Sequence, residues 1–385
     1  MKLGTLKDGS RDGALCVVSR NLKLARIASD VAPTLQAALD DWGYCAPLLQ
    51  ALSDELNHPS ASLGASAGSR LFEPDFSQFA APLPRAYQWL DASAYLAHVE
   101  LVRKARGAEM PAEMRKDPLM YQGNSDYFIG PQDDIRCESE DWGIDLEAEV
   151  AVILDDTPMG VERDKATHQI LLLTLVNDVS LRNLIPDELA KGFGFVQGKA
   201  ATAFTPLAVT PDELGPVWDG RKLSLPMRVS VNDQVLGSPH CGSDMQFDFP
   251  RLIVHAAKTR PLPAGTVLGS GTISNYGHDS GHACIAELRA METVRDGAAA
   301  TPFLKFGDRV RIEMLDSQGQ SIFGAIDQQV VSARSPRRER PIADVLARPV
   351  STQAASTQPE STQPIPADQS AQTEPDQADQ HSPDE

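Results

Sequence analysis

One stretch constrains this chain more than any other: Asp145-Leu146-Glu147-Ala148-Glu149-Val150, running directly into Ala151-Val152-Ile153-Leu154. The second half is apolar at every position, which on a strand means burial on both faces. Residues two apart on a strand share a face, so Asp145, Glu147 and Glu149 project together while Ile144, Leu146, Ala148 and Val150 face the other way. Three carboxylates on one face repel each other, and carboxylates beside a core need compensation. A hard divalent cation with oxygen ligands supplies it. A solvated edge, or Lys and Arg side chains from a neighbouring strand, would serve as well.

The surrounding pattern is mainly strands and loops. Ala148-Val150-Val152-Leu154, Leu171-Leu173-Leu175, Leu225-Met227-Val229-Val231 and Val310-Ile312-Met314 are strand-like sets spaced by two. Short helices fit Ala92 to Ala105 and Phe249 to Lys258. The expected class is α+β, mainly β. Residues 1–75 read as a small separate unit. It has a hairpin of Leu15–Val18 with Leu22–Ala25, an amphipathic helix from Thr34 to Leu56 broken near Gly43, and a Ser/Ala/Gly linker from Ala61 to Ser69. Residues 76–334 form the body. Residues 335–385 read as a disordered tail, rich in Pro, Gln, Ser and acids, with Ser-Thr-Gln repeated at 351, 356 and 361.

Several polar residues stand out from this frame. Asp178 follows the apolar run Leu173–Val176, where an Asp is either a ligand or a turn former, and Arg182 beyond it has the fork to hold a carboxylate. Asp91 reads as a helix N-cap, with His98 two turns later on the same face as a structural histidine or a general base. Gly269-Ser270-Gly271-Thr272 is a tight turn or a loop that offers amides to a ligand oxygen. It lacks the lysine of a phosphate-binding loop and the spacing of a dinucleotide fingerprint. Glu287, inside an apolar stretch, pairs with Arg289 or Arg295, or orients a base.

The net charge of −18 disfavours nucleic acid, since no basic stripe meets phosphate. From Ser351 to Glu385 there are seven acids and no Lys or Arg, so −18 less −7 leaves −11 for the rest. No apolar run approaches the roughly 18 residues of a membrane span, and residues 1–8 carry no signal-peptide core. The five cysteines are scattered, which fits reduced thiols in a cytoplasm and opposes a disulfide framework or a cysteine zinc site.

Taken in order, these pieces resemble the fumarylacetoacetate hydrolase family. The matching stretches are Asp91 with His98, Pro118-Leu119-Met120-Tyr121-Gln122-Gly123, Glu147-Ala148-Glu149, Asn177-Asp178-Val179-Ser180-Leu181-Arg182, Gln197-Gly198-Lys199, Gly271-Thr272-Ile273-Ser274 and Glu287. The likeness runs from about Leu83 to Val331, with a weaker match of the first residues to the family's small leading domain. It implies a mixed β-sandwich roll with a small SH3-like N-terminal domain, usually as a homodimer. It implies that Asp91, Glu147, Glu149 and Asp178 bind Mg2+ or Ca2+, with Mn2+ as a further option. It also implies that His98 activates water with Glu287 orienting it, that Arg182 and Lys199 stabilise the oxyanion or hold a substrate carboxylate, and that Tyr121 and Thr272 contact substrate. The implied activity is hydrolysis of a C–C bond in a β-diketo acid such as fumarylacetoacetate or another acylpyruvate, during aromatic catabolism. A 2-oxo acid hydratase, decarboxylase or tautomerase, or a non-catalytic small-ligand binding protein on the same fold, are the alternatives. Fumarylacetoacetases proper carry Gln where Ile185 stands and an aromatic where Val179 stands. Those departures bear on the choice of diketo acid more than on the cation site.

Overall fold

The two apolar runs find each other. In the computed structural model, which describes residues 1–61, 71–336 and 342–347, strand Ile170–Asn177 lies antiparallel to strand Ala148–Leu154, with Leu173 opposite Val152 and Leu175 opposite Val150. Every residue of both strands is buried. On its other edge Ala148–Leu154 pairs with Val267–Gly269, which in turn runs parallel to Trp89–Ala92. Met120–Gly123 closes that side antiparallel to Trp89–Ala92. These strands belong to one mixed eleven-stranded sheet. A second sheet of five strands contains Arg228–Val231, Arg309–Leu315 and Ser321–Ser332. The two are linked by a buried polar contact, Asn177 Nδ2 donating to Gln328 Oε1 at 3.2 Å. The class is α+β and mainly β, as the alternating patterns predict.

The first residues are not free-standing. Lys2–Leu6 pairs with Ala14–Val18 on one edge and with Leu207–Val209 on the other, so the large sheet continues through them. The N-terminal ammonium donates to Thr210 Oγ1 at 2.6 Å. The hairpin partner of Ala14–Val18 is Ala25–Ile27 rather than Leu22–Ala25. Residues 19–24 are spent on the turn, where Ser19 N donates to Leu24 O and Leu22 takes φ +60°. The expected long helix is two, Leu35–Asp40 and Trp42–Leu56, capped by Thr34 and broken at Asp41 rather than Gly43.

Two further expectations change. The helix expected from Ala92 begins at Leu96, because Trp89–Ala92 is held as strand on both edges. Asp91 is therefore a central sheet residue and no helix cap. Within the stretch read as an unstructured tail, residues 342–347 dock on the body. Ala343 is buried, its amide donates to Lys7 O at 2.7 Å, and Asp344–Ala347 makes a helical turn. The Ser/Ala/Gly linker, apart from Ala61, and the Ser-Thr-Gln repeats lie outside the described residues. Among the described residues no helix is long and apolar enough to cross a membrane.

Leu173 is fully buried between Val152 and Val209. Leu173→Ala is expected to cost about 2–5 kcal/mol in urea unfolding. A loss below about 1 kcal/mol would show that this strand pair is not the packed centre.

Candidate metal centre

Four carboxylates meet where these strands end. Asp91 sits on Trp89–Ala92, Glu149 on Ala148–Leu154, and Asp178 just past Ile170–Asn177. Glu147 occupies a kink before its strand, fixed on both sides. Its amide donates to Asn177 Oδ1 at 3.1 Å, and its carbonyl accepts from Asp178 N at 3.0 Å. One oxygen from each of Asp91, Glu147, Glu149 and Asp178 lies within 4.8 Å of the others, and all four residues are buried. Asp145 does not join them. The kink turns it to the start of helix Ile285–Asp296, where it accepts from Ile285 N at 2.8 Å and Ala286 N at 2.9 Å. There it also accepts from Arg182 Nε at 2.8 Å.

Two cations face this charge. Lys199 Nζ bridges Glu147 Oε2 at 2.5 Å and Asp178 Oδ2 at 2.6 Å. Arg182 spans Asp145 and Glu147, donating to Glu147 Oε1 at 2.6 Å. Tyr121 Oη donates to Asp178 Oδ2 at 2.5 Å, and Thr202 Oγ1 to Asp178 Oδ1 at 2.9 Å. Lys199 is carried by a loop pinned at Glu188, whose carboxylate accepts from the amides of Val196, Gln197 and Gly198. Burial pushes the Glu147 carboxyl up, but Arg182 and Lys199 outweigh it and hold it below the usual range. Among the described residues no lysine or arginine is hydrogen-bonded to Asp91 or Glu149. Burial, then the neighbouring Asp178, raises Asp91 to about 8, and burial with Asp91 raises Glu149 as well. Both accept from Gly271 N at 3.1 Å, and Glu149 Oε1 is buried with no hydrogen-bond partner among the described residues.

This donor set fits a hard divalent cation. Five carboxylates, counting Asp145, stand against two cations, and one Glu149 oxygen is buried without a hydrogen-bond partner among the described residues. Asp91, Glu147, Glu149 and Asp178 are the residues that would hold the ion.

His98 lies in the first turn of helix Leu96–Ala105, which packs on helix Ile285–Asp296. Its Nδ1 is 3.7 Å from Glu287 Oε1. It is near enough for a charge on its ring to act on the Glu147 carboxylate. Glu287 pairs with neither expected arginine: Arg289 donates to Thr301 O and Arg295 to Asp296. Two further histidines, His278 and His282, approach Glu287 instead. Thr272 is buried one residue past the Gly271 amide.

The family model for the fumarylacetoacetate (FAA) hydrolase C-terminal region matches residues 88–331, and that for fumarylacetoacetase N-terminal domain 2 matches residues 1–85. The chain belongs to the fumarylacetoacetate hydrolase family. Its relatives include oxaloacetate tautomerase YisK of Bacillus subtilis, 25% identical over 179 residues, which are 46% of this chain and 55% of that protein. Similar solved structures include maleylpyruvate hydrolase from Sphingobium sp. SYK-6 in complex with manganese(II) ion and pyruvate. It has a TM-score of 0.57 at 17% identity, covering 87% of this chain and 100% of the other. The 2-hydroxyhepta-2,4-diene-1,7-dioate isomerase of Mycobacterium marinum gives 0.52 at 18% identity, covering 86% and 98%. At these identities the solved structures share the fold of this hydrolase-family chain, and their names already span different reactions.

Asp91 titrates near 4 when unfolded and at about 8 in the folded, ion-free chain. In that window the folded chain binds the extra proton, so this contribution to stability declines as pH rises. A divalent cation displaces the proton and binds more tightly as pH rises. The rise in Tm given by Mg2+ over EDTA-treated protein is expected to grow from pH 5 to pH 8, and Glu149→Gln to shrink it. A pH-independent increment, or one unchanged in Glu149→Gln, would rule out these ligands.

Proposed function

We propose that the chain is a divalent-cation-dependent hydrolase that cleaves a C–C bond in a β-diketo acid, fumarylacetoacetate or a related acylpyruvate, in the breakdown of aromatic compounds. The observation that carries this reading is His98 set against buried Glu287, within electrostatic reach of Glu147 in the carboxylate cluster. A module that only bound a ligand would need the carboxylates and not a base.

Mg2+, Ca2+ or Mn2+ is the proposed ion, and when bound it would supply Lewis-acid polarisation and charge neutralisation. The chain's own groups account for the rest. His98 takes a proton from the attacking water, and the Glu287 carboxylate orients the imidazole and stabilises its charged form. The separation of 3.7 Å is within the slack common in sites without substrate. Lys199 and Arg182 offer positive charge to the oxyanion or to a substrate carboxylate. Tyr121 and Thr272 contact the substrate. Attack on the carbonyl, followed by C–C cleavage, yields an acid and an enolate, which takes up a proton.

A second reading is a tautomerase, hydratase or decarboxylase of a 2-oxo acid. It is favoured by relatives named oxaloacetate tautomerase, and proton transfer alone would also employ His98. The proposal includes a homodimer, from the family resemblance. It includes a cytoplasmic location, with which five cysteines free of disulfides agree.

The test is a spectrophotometric panel of fumarylacetoacetate, fumarylpyruvate, acylpyruvates and oxaloacetate with Mg2+, before and after chelation. Hydrolysis should give two acids from one diketone. His98→Ala should lower kcat by about 10²–10⁴-fold while leaving Mg2+ affinity intact. Full activity in that variant would remove His98 from its role, and enol–keto exchange without cleavage would establish the second reading.

A further inference from the structure

Glu287 faces more histidines than the proposed reaction uses. Its Oε1 lies 3.7 Å from His98 Nδ1 and 3.9 Å from His278 Nδ1, and its Oε2 lies 3.3 Å from His282 Nδ1. Ser274 Oγ donates to Oε1. His282 is 6% exposed and Glu287 fully buried. Yet His278 Nδ1, His282 Nδ1 and Glu287 Oε2 are buried with no aligned hydrogen bond among the described residues. Buried donors and acceptors left in this state cost free energy, and such groups call for a further partner.

The three residues also have a metal-binding spacing. One donor atom from each of His278, His282 and Glu287 lies within 4.8 Å of the others. The histidines are four apart on a loop and Glu287 lies five further on, in the first turn of helix Ile285–Asp296. The loop is held at its base, with Ser238 N donating to Ser280 O and His282 N to Leu236 O. A small closing movement of the side chains would set the donors about 2.0–2.2 Å from a common centre.

The chemistry is opposite to that of the carboxylate cluster. Mg2+ and Ca2+ prefer all-oxygen shells. Two imidazole nitrogens and one carboxylate form a three-ligand set suited to borderline ions, with a fourth position left for water.

We propose that His278, His282 and Glu287 form a second metal site, distinct from the carboxylate cluster, for a divalent transition ion of the Zn2+ class. The ion engages the same carboxylate that faces His98. In a consequence that rests on the role proposed above for the His98–Glu287 pair, occupancy draws Glu287 off His98 and inhibits turnover.

The test uses the full chain saturated with Mg2+ and titrated with Co2+, read by visible absorption without substrate. The wild type should bind one Co2+ per chain with the intense bands of a four-coordinate, imidazole-ligated ion. His278→Gln and His282→Gln should each weaken that binding by at least about tenfold. Absence of the bands in the wild type overturns the site, whatever the variants do, and so does unchanged affinity in both variants when their Tm matches the wild type. In a second arm, Zn2+ is added to Mg2+-loaded enzyme turning over any substrate found. Inhibition that His278→Gln relieves supports the coupling, and equal inhibition in the variant overturns it. Co2+ binding without any turnover would leave the metal site standing and count against the catalytic reading alone.

Discussion

The structure turns on an unbalanced charge held inside a packed core. Five buried carboxylates face one lysine and one arginine, carried on strands that are otherwise apolar. Much of the local backbone can be understood as managing that imbalance. Asn177 and Asp178 hold the kink that presents Glu147. The Gly271 amide is shared by Asp91 and Glu149. Close approach requires glycine at two positions. A Cβ on Gly269 would lie 2.4 Å from Trp89 and 2.7 Å from Asp91 Oδ1. Gly271 takes φ +78°, and its Cβ would lie 2.1 Å from Ala92 O. A packed scaffold can keep like charges together in this way only because its strand pairing is fixed elsewhere.

Much of this was legible in the sequence where the signal was local. A fully apolar run marked one central strand and leucines spaced by two marked the other, and acids abutting the first marked the cluster. The failures came where distant pairing decided the outcome. Asp91 reads as a helix cap because Asp before an alanine-rich stretch fits a cap. Strands Met120–Gly123 and Val267–Gly269, far off in sequence, instead claim it for the sheet. Strict alternation put Asp145 on the same face as Glu147 and Glu149. The break at Leu146–Glu147 sends it to the amides of Ile285 and Ala286, where helix-end donors need an acceptor. Residues 342–347 lie in a stretch whose composition alone suggests no core, yet Ala343 fills a place beside Leu6 and Phe79.

His278 and His282 escaped the sequence reading for a related reason. A histidine in a loop has no periodicity to place it, and Glu287 was sought by nearby arginines on its own helix. The local sign was the interval His278-x3-His282 with Glu287 five residues beyond the second histidine, in a segment otherwise poor in charge. Only the packing of helix Leu96–Ala105 against Ile285–Asp296 brings His98 to the same carboxylate.

That convergence makes Glu287 the residue on which the chemistry divides. The carboxylate cluster alone does not distinguish hydrolysis from tautomerisation, since either reaction gains from a cation that polarises a carbonyl. In the proposed mechanisms the distinction lies in what His98 does with a proton. Burial pushes the Glu287 carboxyl up, but the nearby imidazoles of His282 and His98 and the hydrogen bond from Ser274 outweigh it and hold Glu287 below the usual carboxylate range. An ionised, buried carboxylate steadies an imidazolium and so favours a base that must take a full proton from water. Shared among three histidines, the same carboxylate is less committed to His98. Under the proposed mechanism, how strongly it holds that one ring, against the two others, would set the rate of hydrolysis.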